Sequence, residues 1–184
     1  MDSSQPRIGL IVLSGLVAIT LQLVVAPVIT IFGVVPNFVL VAAIIIAMRN
    51  GSIHSTIAGF LLGLVFDLCS SGPMGAMTLV LTVLCFAVGS FSKEVFSGGI
   101  IVDLIVLVAS IALGELLVSV IYAVVGVNPA FLLSLVQRVL PGILYDAIIG
   151  CIFLLIFTAA QGGRSAGPGR SMGTGRSLSR KLNR

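Results

Sequence analysis

The sequence predicts an all-α membrane protein with six transmembrane helices, and three observations carry that prediction. Of its 184 residues, 58% are hydrophobic and only 9% are charged, whereas soluble domains carry about 25% charged residues. Apolar runs approach the roughly 20 residues needed to cross a bilayer, most clearly Ile8–Ala26, Met74–Phe91 and Gly98–Val125. The basic residues are unevenly placed: residues 161–184 hold six and no acidic residue, whereas residues 1–160 hold four basic and six acidic residues.

Turn-forming or charged residues divide the apolar sequence into segments. These interruptions are, in chain order, Pro27, Gly33, Pro36–Asn37, Arg49–Gly51, Ser70–Pro73, the charged loop Ser92–Glu94 and Gly126–Pro129. The predicted spans are therefore 8–26, 34–49, 53–69, 73–91, 98–125 and 138–160. We expect the second and third to be short, the fifth to be tilted or broken, and Pro36 and Asn37 to break the helix at the membrane surface.

The charge distribution predicts the orientation. With six spans both termini lie on one side, and the arginine-rich tail places that side in the cytoplasm. Arg7, Arg49 and Lys93 then also lie on the cytoplasmic side, and only Arg138 lies outside. Because no small-x-small cleavage site follows the first apolar run, we expect that run to be retained as a span.

The chain divides into a transmembrane domain, residues 1–160, and a basic tail, residues 161–184. The tail repeats Gly-Arg-Ser at 163–165, 169–171 and 175–177, and a Gly- and Ser-rich sequence cannot bury enough apolar surface to fold. We expect a disordered cytoplasmic tail that binds anionic membrane lipid. A nucleic acid or specific protein contact is the less favoured alternative.

Charged residues inside the spans are candidate functional sites, because a charge in hydrocarbon is costly. Glu115 lies well inside the fifth span, and Asp146 and Arg138 lie in the outer half of the sixth. We expect Arg138 to pair with Asp67 or Asp146. A proton or ion pathway, a protein contact or a neutral carboxyl group are the alternatives.

The third span carries small and polar residues along one helical face. Ser55, Gly59, Gly63 and Asp67 recur every four residues, and the two glycines form a GxxxG element that lets another backbone approach closely. We interpret this face as a packing surface within the chain, with a partner protein as the alternative.

No pattern indicates catalysis, a cofactor or a metal. The sequence has one histidine, His54, which we place in a loop, and neither GxxxxGK[ST] nor GxGxxG occurs. We therefore do not predict an enzyme.

An ordered set of residues resembles the MreD family of bacterial rod shape-determining membrane proteins. The set comprises Leu21–Gln22, Pro36–Asn37, Gly59–Phe60, Gly63, Asp67–Leu68, Gly75, Leu79, Arg138–Pro141 and Tyr145. The resemblance extends over residues 8–160 and is densest between Pro36 and Leu84. It departs at Asp146, where relatives tend to carry Asn.

The resemblance implies a non-enzymatic scaffold of the cell-elongation machinery in the bacterial inner membrane. Such a protein binds MreC, and through it the RodA glycosyltransferase and a class B penicillin-binding protein, while MreB filaments organise the assembly in the cytoplasm. The implied fold is similar to the substrate-binding component of energy-coupling-factor vitamin transporters. The alternative function is therefore vitamin binding, with Glu115, Arg138 and Asp146 lining an outward-facing pocket.

Overall fold

The computed structural model describes residues 8–30, 34–95, 99–127, 133 and 135–162. These residues build six α-helices: α1 Ile8–Thr20, α2 Phe38–Arg49, α3 Ser52–Cys69, α4 Ala76–Val95, α5 Ile100–Val124 and α6 Leu140–Gly162. A π-helical segment, Leu21–Val25, extends α1, and another, Leu135–Val139, precedes α6. The predicted all-α fold class is confirmed.

The second helix forms the centre of the bundle. Nine of the twelve residues of α2 are buried, and α2 packs against each of the other five helices. The buried apolar core extends from it into α4 through Leu81 and into α5 through Ile111. The most extensive helix pair is α3 with α4, which form an antiparallel hairpin.

The helices alternate in direction, so the bundle has two distinct ends. Arg49 at the end of α2 lies 3.8 Å from Asp103 in the first turn of α5; we call this the Arg49 end. At the opposite end, Asn37 caps the start of α2 and contacts Asp146 near the start of α6; we call this the Asn37 end.

Four helical stretches are long and apolar enough to cross a membrane: Ile8–Val25, Ser52–Cys69, Ile100–Val124 and Leu135–Ile156. Two further apolar stretches are shorter: α2 itself, Phe38–Arg49, and the part of α4 from Ala76 to Phe91. At 1.5 Å per residue, the twelve residues of α2 span about 18 Å, less than the hydrocarbon thickness. The predicted count of six spans therefore stays a prediction.

Several predicted boundaries were wrong. The predicted charged loop Ser92–Glu94 belongs to α4, which continues to Val95, and His54 lies in the first turn of α3 instead of a loop. The fifth span is one continuous helix of 25 residues. The fourth helix begins at Ala76 instead of residue 73, after Gly75, whose φ of 89° favours glycine.

The second helix begins at Phe38, directly after Pro36 and Asn37, and Asn37 is its N-cap. That these two residues break the helix at the membrane surface stays a prediction. The predicted basic tail lies outside the described residues from residue 163 onward.

Candidate functional site

Asn37 organises a group of polar side chains inside the Asn37 end of the bundle. Its Oδ1 accepts a hydrogen bond from the backbone N–H of Leu40 at 3.1 Å and so caps α2. Its Nδ2 donates to Glu115 Oε1 at 3.2 Å, and its backbone N–H donates to Asp146 Oδ1 at 2.8 Å. One residue thus joins α2 to α5 and α6.

The two carboxyl groups of this site share one hydrogen-bond partner, Asn37. Asp146 is 1% exposed, and both carboxyl groups line the same cavity. Arg138, an exposed residue, lines that cavity too. Burial of a carboxyl group is costly unless hydrogen-bond donors compensate it, and Asn37 supplies two such donors. We call Asn37, Glu115, Arg138 and Asp146 the polar cluster.

Gln22 connects the first helix to the polar cluster. Its Nε2 donates to the backbone carbonyl of Pro36 at 3.1 Å, and its Oε1 accepts from the backbone N–H of Val39 at 3.4 Å. These backbone groups lie at the entry to α2, where the proline interrupts the helix. Sequence reasoning did not place Gln22 in the site, although an amide inside an apolar span was the signal for it.

The polar cluster lines a cavity of about 170 Å³. Gln22, Ser119 and Tyr122 complete its polar lining, while Val34 and Phe66 lie among its apolar residues. A second, more apolar cavity of about 360 Å³ lies beside it, between α1 and α3. Gln22, Val35 and Phe66 line both cavities, so the two spaces adjoin.

Arg138 does not make the predicted ion pair. Among the described residues, the one salt bridge within 4.0 Å joins Arg49 and Asp103. Asp146 accepts a hydrogen bond from the backbone N–H of Asn37, and Asp67, near the end of α3, accepts one from the backbone N–H of Thr78 in α4. The expected pairing was wrong because backbone N–H groups, which sequence reasoning did not consider, stabilise both carboxylates.

The predicted face of α3 packs against α4 of the same chain. A Cβ atom at Gly59 would lie 2.7 Å from the carbonyl oxygen of Leu81, and one at Gly63 would lie 2.5 Å from Thr78 Cα. Ser55 is fully buried and donates to the carbonyl of Asn50 at 3.1 Å. This face is occupied, so a partner chain cannot reach it without displacing α4.

Asp67 completes the same face as a helix cap supplied by a neighbouring helix. Its carboxylate accepts hydrogen bonds from the backbone N–H groups of Gly75, Met77 and Thr78 at 3.1, 3.2 and 2.9 Å. It also accepts one from the Thr78 hydroxyl at 2.6 Å. Four otherwise unpaired N–H groups begin every α-helix, and a negative charge there is favourable. Asp67 therefore holds α3 to α4.

The arrangement provides no metal site within the part of the chain that the structure describes, where no group of three or more His, Cys, Asp and Glu side chains could hold an ion. The polar cluster instead offers two carboxyl groups and one guanidinium group that face a small cavity. Such groups bind charged or hydrogen-bonding ligands.

Comparison with known proteins decides the family. The family model described as rod shape-determining protein MreD matches residues 7–160, which include the whole polar cluster. The chain belongs to the MreD family. Comparisons with curated proteins and with solved structures found no match. MreD membership supports a role in rod shape determination, and the four long apolar helices agree with a membrane protein.

Proposed function

We propose that this chain is a non-enzymatic scaffold of the bacterial cell-elongation machinery, which binds MreC through lateral helix surfaces. The MreD family match over residues 7–160 carries this proposal, because it covers almost the entire helical bundle. Through MreC, the chain is connected to RodA and a class B penicillin-binding protein, and MreB organises the assembly from the cytoplasm.

The outward surface of the bundle suits contact with a transmembrane partner. The first helix buries only Gly15 and Ala18, and Leu13 is 57% exposed. The fourth and sixth helices also expose large apolar side chains, including Phe86 at 57% and Ile148 at 60%. Within a bilayer such side chains contact either lipid or the helices of other membrane proteins.

The GxxxG element of α3 is not part of the proposed MreC surface. Since Gly59 and Gly63 already contact α4, substituting them would disturb the fold before it disturbed a partner. Loss of MreC binding in such a variant would not locate the interface. The interface must instead be sought among the exposed positions of α1, α4 and α6.

The proposed orientation places both termini in the cytoplasm, with six spans in the inner membrane. The Arg49 end then faces the cytoplasm, together with the basic tail, which we propose to bind anionic lipid. The Asn37 end faces outward. The short helix α2 agrees with six spans if the bilayer thins locally or if neighbouring helices surround it, as they do. The 20 residues of α4 match the length needed to cross a bilayer.

The alternative function, vitamin binding for an energy-coupled transporter, would use the polar cluster as the ligand site. Drug-sized ligand pockets usually enclose about 300–1,000 Å³, whereas the cavity at the polar cluster encloses about 170 Å³. A vitamin would therefore have to extend into the adjoining cavity of about 360 Å³. The family match, and not the cavity volume, favours the scaffold function.

Affinity purification of the tagged chain from native membranes in mild detergent, followed by mass spectrometry, tests the proposal. We expect MreC and the elongation synthases to be enriched over an unrelated tagged membrane protein. Recovery of a transporter ATPase pair without any cell-wall protein would overturn the scaffold proposal and favour the vitamin-binding alternative.

A further inference from the structure

We propose that the polar cavity and the adjoining apolar cavity together bind one phospholipid with a primary-amine headgroup. The headgroup ammonium lies against Glu115 and Asp146, the phosphate lies at Arg138, and an acyl chain lies between α1 and α3. This proposal does not rest on MreC binding.

The carboxyl pair supplies the site for the ammonium group. Glu115 and Asp146 both accept hydrogen bonds from Asn37 and line the same cavity. A primary ammonium has three N–H donors and a full positive charge, so it can bond both carboxyl groups at once. A quaternary ammonium has no such donors, and a headgroup without an amine gives the carboxyl groups no cationic partner.

Arg138 supplies the site for the phosphate group. It lines the same cavity, and no carboxylate of the described residues lies within 4.0 Å of it, since the one ion pair there joins Arg49 and Asp103. A guanidinium group binds phosphate through paired N–H donors. The cavity therefore presents negative and positive groups together, which complements a zwitterion.

The apolar cavity supplies the site for the chain. Ile19, Leu23, Val39 and Val65 line it, and its volume of about 360 Å³ exceeds that of the polar cavity. Gln22, Val35 and Phe66 line both spaces. A ligand that fills both must be polar at one end and apolar at the other, which favours a lipid over a soluble zwitterion.

The polar cavity has room for the headgroup. A cavity needs about 10–15 Å³ for each water molecule that it holds, so a volume of about 170 Å³ holds roughly eleven or more. Phosphoethanolamine, with eight non-hydrogen atoms, is smaller than that.

Native mass spectrometry of the delipidated full chain in detergent tests the proposal with four ligands. These are phosphatidylethanolamine, its N-acylated form without an ammonium group, phosphatidylglycerol with the same acyl chains, and free phosphoethanolamine. We expect phosphatidylethanolamine to bind at least tenfold more tightly than each of the other three. Equal binding of the three lipids would overturn the ammonium site, and equal binding of free phosphoethanolamine would overturn the chain site.

Two variants locate the site. Glu115→Gln keeps an acceptor for Asn37 but removes the charge, and we expect it to reduce the preference for phosphatidylethanolamine over the N-acylated lipid to below threefold. Gly142→Ala adds a methyl group 3.7 Å from Val34 Cγ1 and 3.8 Å from Glu115 Oε2, which is ordinary contact distance. We expect it to fold and to weaken binding at least threefold.

The matched control is Leu79→Ala, which alters an exposed apolar position of α4 away from both cavities. It should bind all four ligands as the unmodified chain does. If Leu79→Ala loses as much affinity as Gly142→Ala, or if folded Glu115→Gln keeps the full preference, the proposed site is wrong. If Glu115→Gln does not fold, the binding of the four ligands to the unmodified chain still tests the proposed site.

Discussion

The Asp67 carboxylate of α3 accepts hydrogen bonds from both the backbone N–H and the hydroxyl of Thr78 in α4, at 2.9 and 2.6 Å. The residue before α4 is Gly75, which has no side chain to cap the helix, and its N–H also donates to Asp67. The carboxylate of Asp67, 11 residues before Thr78 in the chain, thus takes the place of a capping side chain next to the helix start. This contact fixes the register of the α3–α4 hairpin.

Asp67→Ala should destabilise the protein strongly, because it leaves three N–H groups and one hydroxyl group without their acceptor. At about 1–3 kcal/mol for an unsatisfied buried group, we expect a loss of at least about 3 kcal/mol. Thr78→Val removes only the hydroxyl bond and should cost about 1 kcal/mol. Thermal unfolding in detergent measures both. Similar unfolding temperatures for the two variants would contradict the capping role.

Gly63→Ala should separate α3 from α4. The added Cβ would lie 2.5 Å from Thr78 Cα and 2.9 Å from Thr78 N, and backbone atoms cannot move aside as a flexible side chain can. Overpacking of this kind costs about 1–3 kcal/mol. Gly9→Ala is the control, because nothing lies within 4 Å of a Cβ atom there. Equal stability of the two variants, read by thermal unfolding, would show that the close packing is not required.

The spacing of Ser55, Gly59, Gly63 and Asp67 was visible in the sequence, but the identity of the packed helix was not. A repeat of four places residues on one helical face, and it says nothing about which element covers that face. The limits of α3 were predicted within one residue, because polar turns flank it. The predicted start of α2 was four residues early, because the backbone is not helical before Phe38.

The polar cluster could be predicted only as separate residues. Asn37 is 78 residues from Glu115 and 109 from Asp146 in the chain, so only the packing of α2 between α5 and α6 brings them together. The rule that a charge within a span is a candidate site selected Glu115 and Asp146 as separate residues. That rule could not show that Asn37, at the start of α2, would donate hydrogen bonds to both Glu115 and Asp146.

Removing Arg49 and neutralising Asp103 should lower the free energy of unfolding by different amounts. One oxygen of Asp103, Oδ1, has no hydrogen-bond partner among the described residues, so removing Arg49 leaves a buried charge poorly compensated. We expect Arg49→Ala to cost about 1–3 kcal/mol and Asp103→Asn less than about 1 kcal/mol. Thermal unfolding of both variants checks this order, and the reverse order would contradict it.

The proposed orientation predicts which end of the bundle is accessible from outside the cell. In a Cys69→Ser, Cys151→Ser background, Cys85 can remain because it is 1% exposed. A membrane-impermeant maleimide should label Ser71→Cys in intact spheroplasts and His54→Cys only after lysis. Labelling of His54→Cys before lysis would invert the proposed topology.

The most direct test of the scaffold account is site-specific photo-crosslinking in living cells. A photoreactive amino acid is placed at Leu13, Phe86 or Ile148, each more than half exposed, and at Ile44, which is fully buried, as a control. We expect an adduct with MreC from at least one exposed position and none from Ile44. If every exposed variant supports rod shape yet none forms an MreC adduct, the proposed lateral interface is wrong.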